Sequence, residues 1–336
     1  MRRNLLALSG LIFGGCVEYD LTEWDQVEVF NQEPPEAVDI LMVVDNSCSM
    51  GPYQANLGDN FEQFVQYFIG ADVDYQIGVV TTDMEDPSQS GRIQGQIITQ
   101  DTPNPASVFN SIVNVGTYGS GWEYGLEAAL KALTTPLIAG PNAGFLREDA
   151  SLSLIFVSDE EDGSPYPVNQ YINQFLDVKG ARQRDIFNAS ALTVTDLGIC
   201  DPFLAAQSSP GTRYVDVARQ TNGVIGNLCD EDFESIVTEL SLNTSRLRNT
   251  YFLEEKPDPG SLEVRVSPDG TTTEPIPCED NIWYYDLVVD PIDESERPAV
   301  IFPTEYIPAV GSKISVKYFK GGGNPVDFCV QAGGAE

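Results

Sequence analysis

The sequence predicts an α/β fold: a Rossmann-like domain with a central, mostly parallel sheet flanked by helices, then a small C-terminal β-sandwich-like module. Three observations carry this expectation. Between residues 36 and 250, short apolar runs rich in Val and Ile alternate with stretches of helical spacing, the order that builds a parallel sheet covered on both faces. The first three runs end in aspartate, at Asp45, Asp83 and Asp159, and open α/β sheets keep their ligands at the carboxyl ends of strands. From Tyr251 the texture changes to short alternating runs broken by Pro and Gly, as in an antiparallel sandwich.

Met1-Arg2-Arg3-Asn4 is a short positive segment, Leu5 to Phe13 a short apolar core, and Gly14-Gly15-Cys16 follows. About ten apolar residues are too few to span a bilayer as a permanent helix, so the segment reads as an export signal. Small residues before a cysteine resemble a bacterial lipobox, with Phe13 standing where Leu is more usual. That resemblance implies a signal peptide over residues 1–15, lipidation of Cys16 and, with Val17 rather than Asp next, an outer-membrane lipoprotein of the bacterial cell envelope. Residues 16–35 then read as an acidic tether closed by Pro34-Pro35.

The run Val38 to Val44 is too short for an ordinary helix and is read as a buried strand. It ends in Asp45-Asn46-Ser47-Cys48-Ser49, a turn with one carboxylate and two hydroxyls in a D-x-S-x-S spacing. Hard oxygens of this kind suit Mg²⁺, Ca²⁺ or Mn²⁺, and Asp, Asn and Ser are also ordinary turn and capping residues. Tyr53 to Phe68 places Leu57, Phe61, Phe64, Val65 and Phe68 near helical spacing. Asp74 to Asp83 is the second strand and Glu85 to Gly95 a loop. Ser120 to Leu133 predicts a helix with Trp122, Leu126, Ala129, Leu130 and Leu133 on one side. Leu152 to Asp159 is the third strand, Asn169 to Val178 a helix, Phe187 to Val194 the fourth strand, and Asp230 to Arg248 a long amphipathic helix. Glu160, Glu161 and Asp162 read as a solvated acidic loop, with a second cation site as the alternative; Asp83 and Glu85 read the same way. Beyond residue 251, Ser261–Val266, Trp283–Val289, Ala299–Phe302 and Lys313–Phe319 are strands, and Trp283 with Tyr284-Tyr285 reads as core rather than a binding face.

Composition excludes several function classes. Lys+Arg is 18 against Asp+Glu 51, a formal net charge of −33. Such a chain repels nucleic acid and anionic lipid, so neither is an expected partner, and membrane association rests on the lipid at Cys16 alone. There is no histidine, which removes His-based acid–base catalysis, Ser-His-Asp and Cys-His nucleophile pairs and the usual zinc sites. Export permits disulfides. Apart from Cys16 there are Cys48, Cys200, Cys229, Cys278 and Cys329. The odd count leaves one over, assigned to Cys48 in its turn, with Cys200–Cys229 and Cys278–Cys329 as candidate pairs and the connectivity open.

The order of these oxygens resembles the von Willebrand factor type A domain and its metal-ion-dependent adhesion site. In that family D-x-S-x-S supplies the first ligands, a Thr five residues before a helix Gly the next, and an Asp closing a later strand the last, usually through water. Asp45, Ser47 and Ser49 match the first set, Ser120 stands five residues before Gly125, and Asp159 matches the last. Glu123 falls where integrin β subunits place a Glu, two residues before the matching Gly. Ser120 and Glu123 remain open as ligands, singly or together, with Thr117 a weaker candidate. Cys48 stands where Gly is common. The whole chain is also similar to bacterial lipoproteins with this domain, through Asn46–Met50, Val80–Asp83, Gly144–Arg147 and Ser158–Asp162.

The resemblance implies a domain over residues 36–250 and a β domain over 251–336. It implies a divalent cation, Mg²⁺ first with Ca²⁺ or Mn²⁺ as alternatives, and a protein partner that supplies a carboxylate to the ion. The expected role is adhesion or assembly, not catalysis. The alternative is a structural component of an envelope or surface machine in which the metal braces an interface. A metal-dependent hydrolase or a Cys48 thiol enzyme is more remote, because no basic partner activates water or the thiol.

Overall fold

The computed structural model describes residues 25–33, 37–70, 73–179, 187–230, 232–245, 249–268, 274–278, 282–289, 296–303 and 306–321. After β1 (Asp25–Asn31), the α/β domain is built on β2 (Ala37–Val44), β3 (Asp74–Thr81), β4 (Ile98–Thr99), β5 (Ser151–Ser158), β6 (Phe187–Thr193) and β7 (Ile225–Asn227). Their order in the sheet is β4-β3-β2-β5-β6-β7. All neighbours are parallel except the short edge strand β4. Strand β2 therefore lies in the middle, where the chain order reverses, and this switch point is where such sheets open a crevice.

Burial on both faces explains why β2 reads as a continuous apolar run. Ile40, Met42 and Val44 point into one core with α1 (Gly51–Asp59), α2 (Phe61–Gly70), α3 (Pro105–Val113) and α8 (Phe233–Ser245). Leu41 and Val43 point into the other, with α4 (Gly125–Leu133), α5 (Val168–Lys179) and α7 (Thr212–Gln220). This layered arrangement is the one expected from the sequence.

Several boundaries differ from expectation. The helix read over residues 53–68 is two helices, broken at Asn60, whose side-chain amide donates to the Asn56 carbonyl at 2.8 Å. A short polar side chain competes here with the helical ladder. The helix read from Ser120 begins only at Gly125. Residues 120–124 spend their backbone groups elsewhere: Trp122 N–H on Ser120 Oγ, Tyr124 N–H on the Thr82 carbonyl, the Glu123 carbonyl on Gly163 N–H. Trp122, expected on the buried side, is 68% exposed in consequence. Helices α3 and α7 and the short strands β4 and β7 were not legible. In α7 only Tyr214, Val217 and Ala218 are buried, too few for a clear apolar stripe.

The β module pairs β1 with β12 (Lys313–Phe319) and β12 with β9 (Glu263–Ser267) in one antiparallel sheet. The other joins β8 (Thr250–Phe252), β11 (Glu296–Ile301) and β10 (Tyr284–Val289). Tyr251, Trp283, Val300, Ile314, Val316 and Tyr318 fill the core they share. Trp283 is core, its Nε1–H donating to the Ile276 carbonyl at 3.2 Å. The tether reading of residues 16–35 is corrected for 25–31, which form a full strand of this module in register from Asp25↔Phe319 to Asn31↔Lys313. Phe30 anchors it against Tyr251, ring centroids 5.3 Å apart. Glu28 accepts from the Tyr318 hydroxyl and from Glu254 N–H. Residues 1–24 of the expected signal and tether, including Cys16, and residues 34–35 lie outside the described residues.

Cys200 and Cys229 form a disulfide, Cα atoms 4.8 Å apart, tying the loop after β6 to the loop after β7. Cys48 is a free, exposed thiol. Cys278 is also disulfide-bonded; its expected partner Cys329 lies outside the described residues. No helix among the described residues is long and apolar enough to cross a membrane.

Candidate metal centre

Strand register sets the centre of the site. Val44 pairs with Thr81 on one side and Val157 on the other, so Asp45 emerges between Thr82 and Ser158. Its backbone N–H continues the ladder to the Val157 carbonyl at 2.9 Å. Its Oδ1 accepts from Ser47 N–H and its Oδ2 from Ser158 Oγ, both at 2.7 Å. Gln54 Nε2 clamps the backbone below, donating to the carbonyls of Asp45 (2.8 Å) and Gly116 (2.9 Å).

From Asp45 the polar groups run on without a gap. Ser47 Oγ and Ser49 Oγ are 3.3 Å apart, and Ser49 Oγ donates to Asp159 Oδ1 at 3.1 Å. Asp159 Oδ2 accepts from Ser208 Oγ at 2.7 Å. All five acidic and hydroxyl groups read from the sequence here, Asp45, Ser47, Ser49, Glu123 and Asp159, are buried. Glu123 Oε2 accepts from the Thr82 hydroxyl, while Glu123 Oε1 is buried with no hydrogen-bond partner.

Ser120 is not part of this cluster. Its hydroxyl donates to Glu85 Oε2 at 3.0 Å, at the surface, and accepts from Trp122 N–H. Thr117 lies near Gly51, where an added Cβ would stand 3.6 Å from its methyl group. The backbone approach in this loop is close: a Cβ at Gly119 would fall 2.2 Å from the Asn46 side chain, and one at Gly125 2.4 Å from the Tyr214 hydroxyl.

Burial dominates the electrostatics. Desolvation, then the charge of Asp159, pushes the Asp45 carboxyl up to about 6. Desolvation, then Asp45 and Glu160, pushes Glu123 up to about 9. Desolvation, then Asp45 and Asp159, brings Glu160 to about 7. Asp159 is raised by burial. The strongest charges acting on Asp45, Glu123 and Glu160 are those of neighbouring carboxylates.

The rest of the acidic loop is structural, which corrects the solvated reading. Asp162 is buried, pairs with Arg213 Nε at 2.9 Å, and accepts from Leu126 N–H at the start of α4. Glu161 accepts the Thr212 and Arg213 N–H groups that open α7. Asp83 is also buried, accepting from the N–H groups of Glu85, Asp86 and Ser120.

Several carboxylates held in low dielectric without a countercharge favour a bound cation or retained protons. Among the described residues no three His, Cys, Asp or Glu side chains converge as a metal cage by themselves. A fit therefore depends on the mixed set: Asp45 and Glu123 carboxylates with the Ser47 and Ser49 hydroxyls, and Asp159 behind Ser49. Glu123 Oε1 is buried with no N–H or hydroxyl donor facing it and its carboxyl lies against that of Asp45, and an all-oxygen set matches Mg²⁺, Ca²⁺ or Mn²⁺. Thr82, Ser158, Ser208 and Gln54 escaped the sequence reading. Thr82 and Ser158 were in principle within reach, since both follow parallel strands in step with Asp45.

The sequence matches no protein-family model, and no curated protein matches it at the sequence level. Similar solved structures include the proximal thread matrix protein 1 of the mussel byssus, at 15% identity and TM-score 0.41, covering 66% of this chain and 51% of that one. The same mussel protein with a zinc-occupied metal-ion-dependent adhesion motif matches at 15% identity and TM-score 0.40, over 65% and 48%. The pilus adhesin SpaC from Lactobacillus rhamnosus GG, in its open conformation, matches at 10% identity and TM-score 0.42, over 88% and 40%. The chain thus spans about half or less of each neighbour's length.

Proposed function

We propose that this chain is an exported, lipid-anchored binding protein that holds a divalent cation at the carboxyl end of β2 and offers it to a carboxylate of a protein partner. The observation that carries this reading is the buried Glu123 Oε1, which meets no N–H or hydroxyl donor while the Glu123 carboxyl lies against that of Asp45. Asp45 and Glu123 would hold the ion with Ser47 and Ser49, and Asp159 would act through Ser49. Neutral hydroxyls in the set leave the ion short of negative charge and therefore attractive to an outside Asp or Glu. Mg²⁺ is the ion of choice, with Ca²⁺ and Mn²⁺ as alternatives.

Binding rather than turnover is favoured by the chemistry of the site. It contains no histidine, and Cys48 stands exposed at the turn. The test is calorimetry of Mg²⁺, Mn²⁺ and Ca²⁺ against protein lacking residues 1–16, wild type beside Asp45→Ala. Binding by wild type and not by the variant supports the site. Equal binding by both would move the ions to the acidic loops and sink the proposal.

A further inference from the structure

We infer that the ion-binding face takes a cationic polypeptide segment, one carboxylate set among arginines or lysines, held by exposed aromatic side chains around the ion. This rests on the metal reading above and specifies the partner. Tyr118, Trp122 and Phe203 are 101%, 68% and 74% exposed. A single exposed apolar residue means little, but these three lie on loops linked to the oxygen cluster. Tyr118 precedes Gly119, whose N–H donates to the Asn46 carbonyl beside Asp45. Trp122 precedes Glu123. Phe203 lies on the short helix α6 (Pro202–Ala205); there the Leu204 carbonyl accepts from Ser208, the hydroxyl that also reaches Asp159. The loops that bring oxygens to the cluster thus also present exposed aromatic side chains to solvent, and exposed apolar area rimmed by polar residues marks an interaction site.

Charge complementarity selects the occupant. Residues 45–50, 82–97, 114–124, 159–167 and 194–211 contain Arg92 and no other Lys or Arg. Arg92 is engaged with the Pro87 carbonyl at 3.0 Å, and the two cations that reach these loops from α7 and α4 are engaged as well, Arg213 with Asp162 and Lys131 with Ser90 Oγ at 2.6 Å. Glu85, Asp196 and Asp201 are exposed on the same loops. One divalent ion offsets only part of this charge, so a plainly acidic partner is repelled at the rim while its carboxylate is drawn to the ion. Cationic residues flanking that carboxylate remove the conflict. Arginine also stacks on aromatic faces, a contact this chain already makes where Arg297 lies 4.4 Å over the Phe252 ring.

The test uses the purified full chain saturated with Mg²⁺ and three short amidated peptides with a central aspartate flanked by arginines, serines or glutamates. The arginine-flanked peptide is expected to bind at least about tenfold tighter than the serine-flanked one, a gap of ~1.4 kcal/mol, and the glutamate-flanked peptide not at all. Chelator, or asparagine for the central aspartate, abolishes the binding. The combined variant Tyr118→Ser, Trp122→Ser, Phe203→Ser loses it while Mg²⁺ affinity and melting temperature hold. Equal affinity for the arginine and serine peptides, no peptide binding with Mg²⁺ bound, or an unaffected triple variant overturns the proposal. So does chitohexaose binding that the triple variant loses in place of peptide binding, which would assign the aromatics to sugar stacking. Absence of Mg²⁺ binding by wild type, read separately by calorimetry, overturns the metal reading instead.

Discussion

Ser158 Oγ donates to Asp45 Oδ2 at 2.7 Å across the ends of two neighbouring parallel strands. The bond follows from register alone, since Val44 pairs with Val157. It fixes the rotamer of the carboxylate before any ion arrives. Replacing Ser158 with Ala removes one positioning bond and keeps the carboxylate. Divalent-ion affinity is expected to fall about tenfold or more, in line with ~1.5–3 kcal/mol for a hydrogen bond to a charged group, against outright loss for Asp45→Ala. Calorimetry on both variants checks this ranking.

Glu123 and Ser120 were equivalent candidates in the sequence, and the structure separates them. Glu123→Gln and Thr82→Val are expected to weaken ion binding by about tenfold or more. Ser120→Ala, which touches only Glu85 and the Trp122 N–H, is expected to leave affinity within about twofold of wild type, because surface hydrogen bonds contribute little. Strong loss on Ser120→Ala would reassign the ligand.

The carboxyls of Asp45, Glu160 and Glu123 are raised to about 6, 7 and 9, so the metal-free folded chain holds protons that the unfolded chain has released by about pH 5. Folded-state values above unfolded ones mean stability that is full below about pH 4 and declines as pH rises through 6, 7 and 9. A divalent ion replaces those protons, so its stabilising effect grows with pH. Thermal melts with chelator should decline from pH 5 to pH 9, and the gain from saturating Mg²⁺ should be larger at pH 8 than at pH 5.5. A gain that shrinks with pH would contradict this ordering.

At the other end of β2, Arg147 makes ion pairs of 2.7 Å with the fully buried Asp39 and with Asp74. Arg147→Ala strands Asp39 in the core and is expected to cost about 3–5 kcal/mol of stability, the usual penalty for breaking a buried pair. Asp39 and Asp45 stand six residues apart on one extended chain, about 20 Å, so ion affinity of the folded variant should be unchanged. Denaturant unfolding together with calorimetry separates the two effects, and weakened ion binding would argue that the pair braces the site.

Much was legible from residues 36 to 250. Strands β2, β3, β5 and β6 announce themselves as apolar runs because both faces of a covered parallel sheet are dry. The D-x-S-x-S turn and Asp159 were legible as ligand candidates because their chemistry is uncommon at strand ends in combination. The expected helix from Ser120 failed in its first turn, where Ser120 and Glu123 spend their polar groups on Glu85, Thr82 and Gly163. Such loop-to-loop contacts leave no period in the chain. For the same reason Asp162 and Glu161 looked solvated: nothing local announces that Arg213 and the N–H groups of α7 wait some fifty positions later.

The sequence by itself determined the fold class, the change to β structure near residue 251 and the gathering of candidate ligands at the carboxyl end of β2. Those depend on local periodicity and on residue types at strand ends. Only the tertiary structure decided that β1 closes the C-terminal module, that Glu123 rather than Ser120 faces Asp45, and that Thr82, Ser158 and Ser208 hydrogen-bond the carboxylates of Glu123, Asp45 and Asp159. Each of these follows from strand register and loop packing between residues distant in the chain, where the desolvation cost of a buried carboxylate selects the partner.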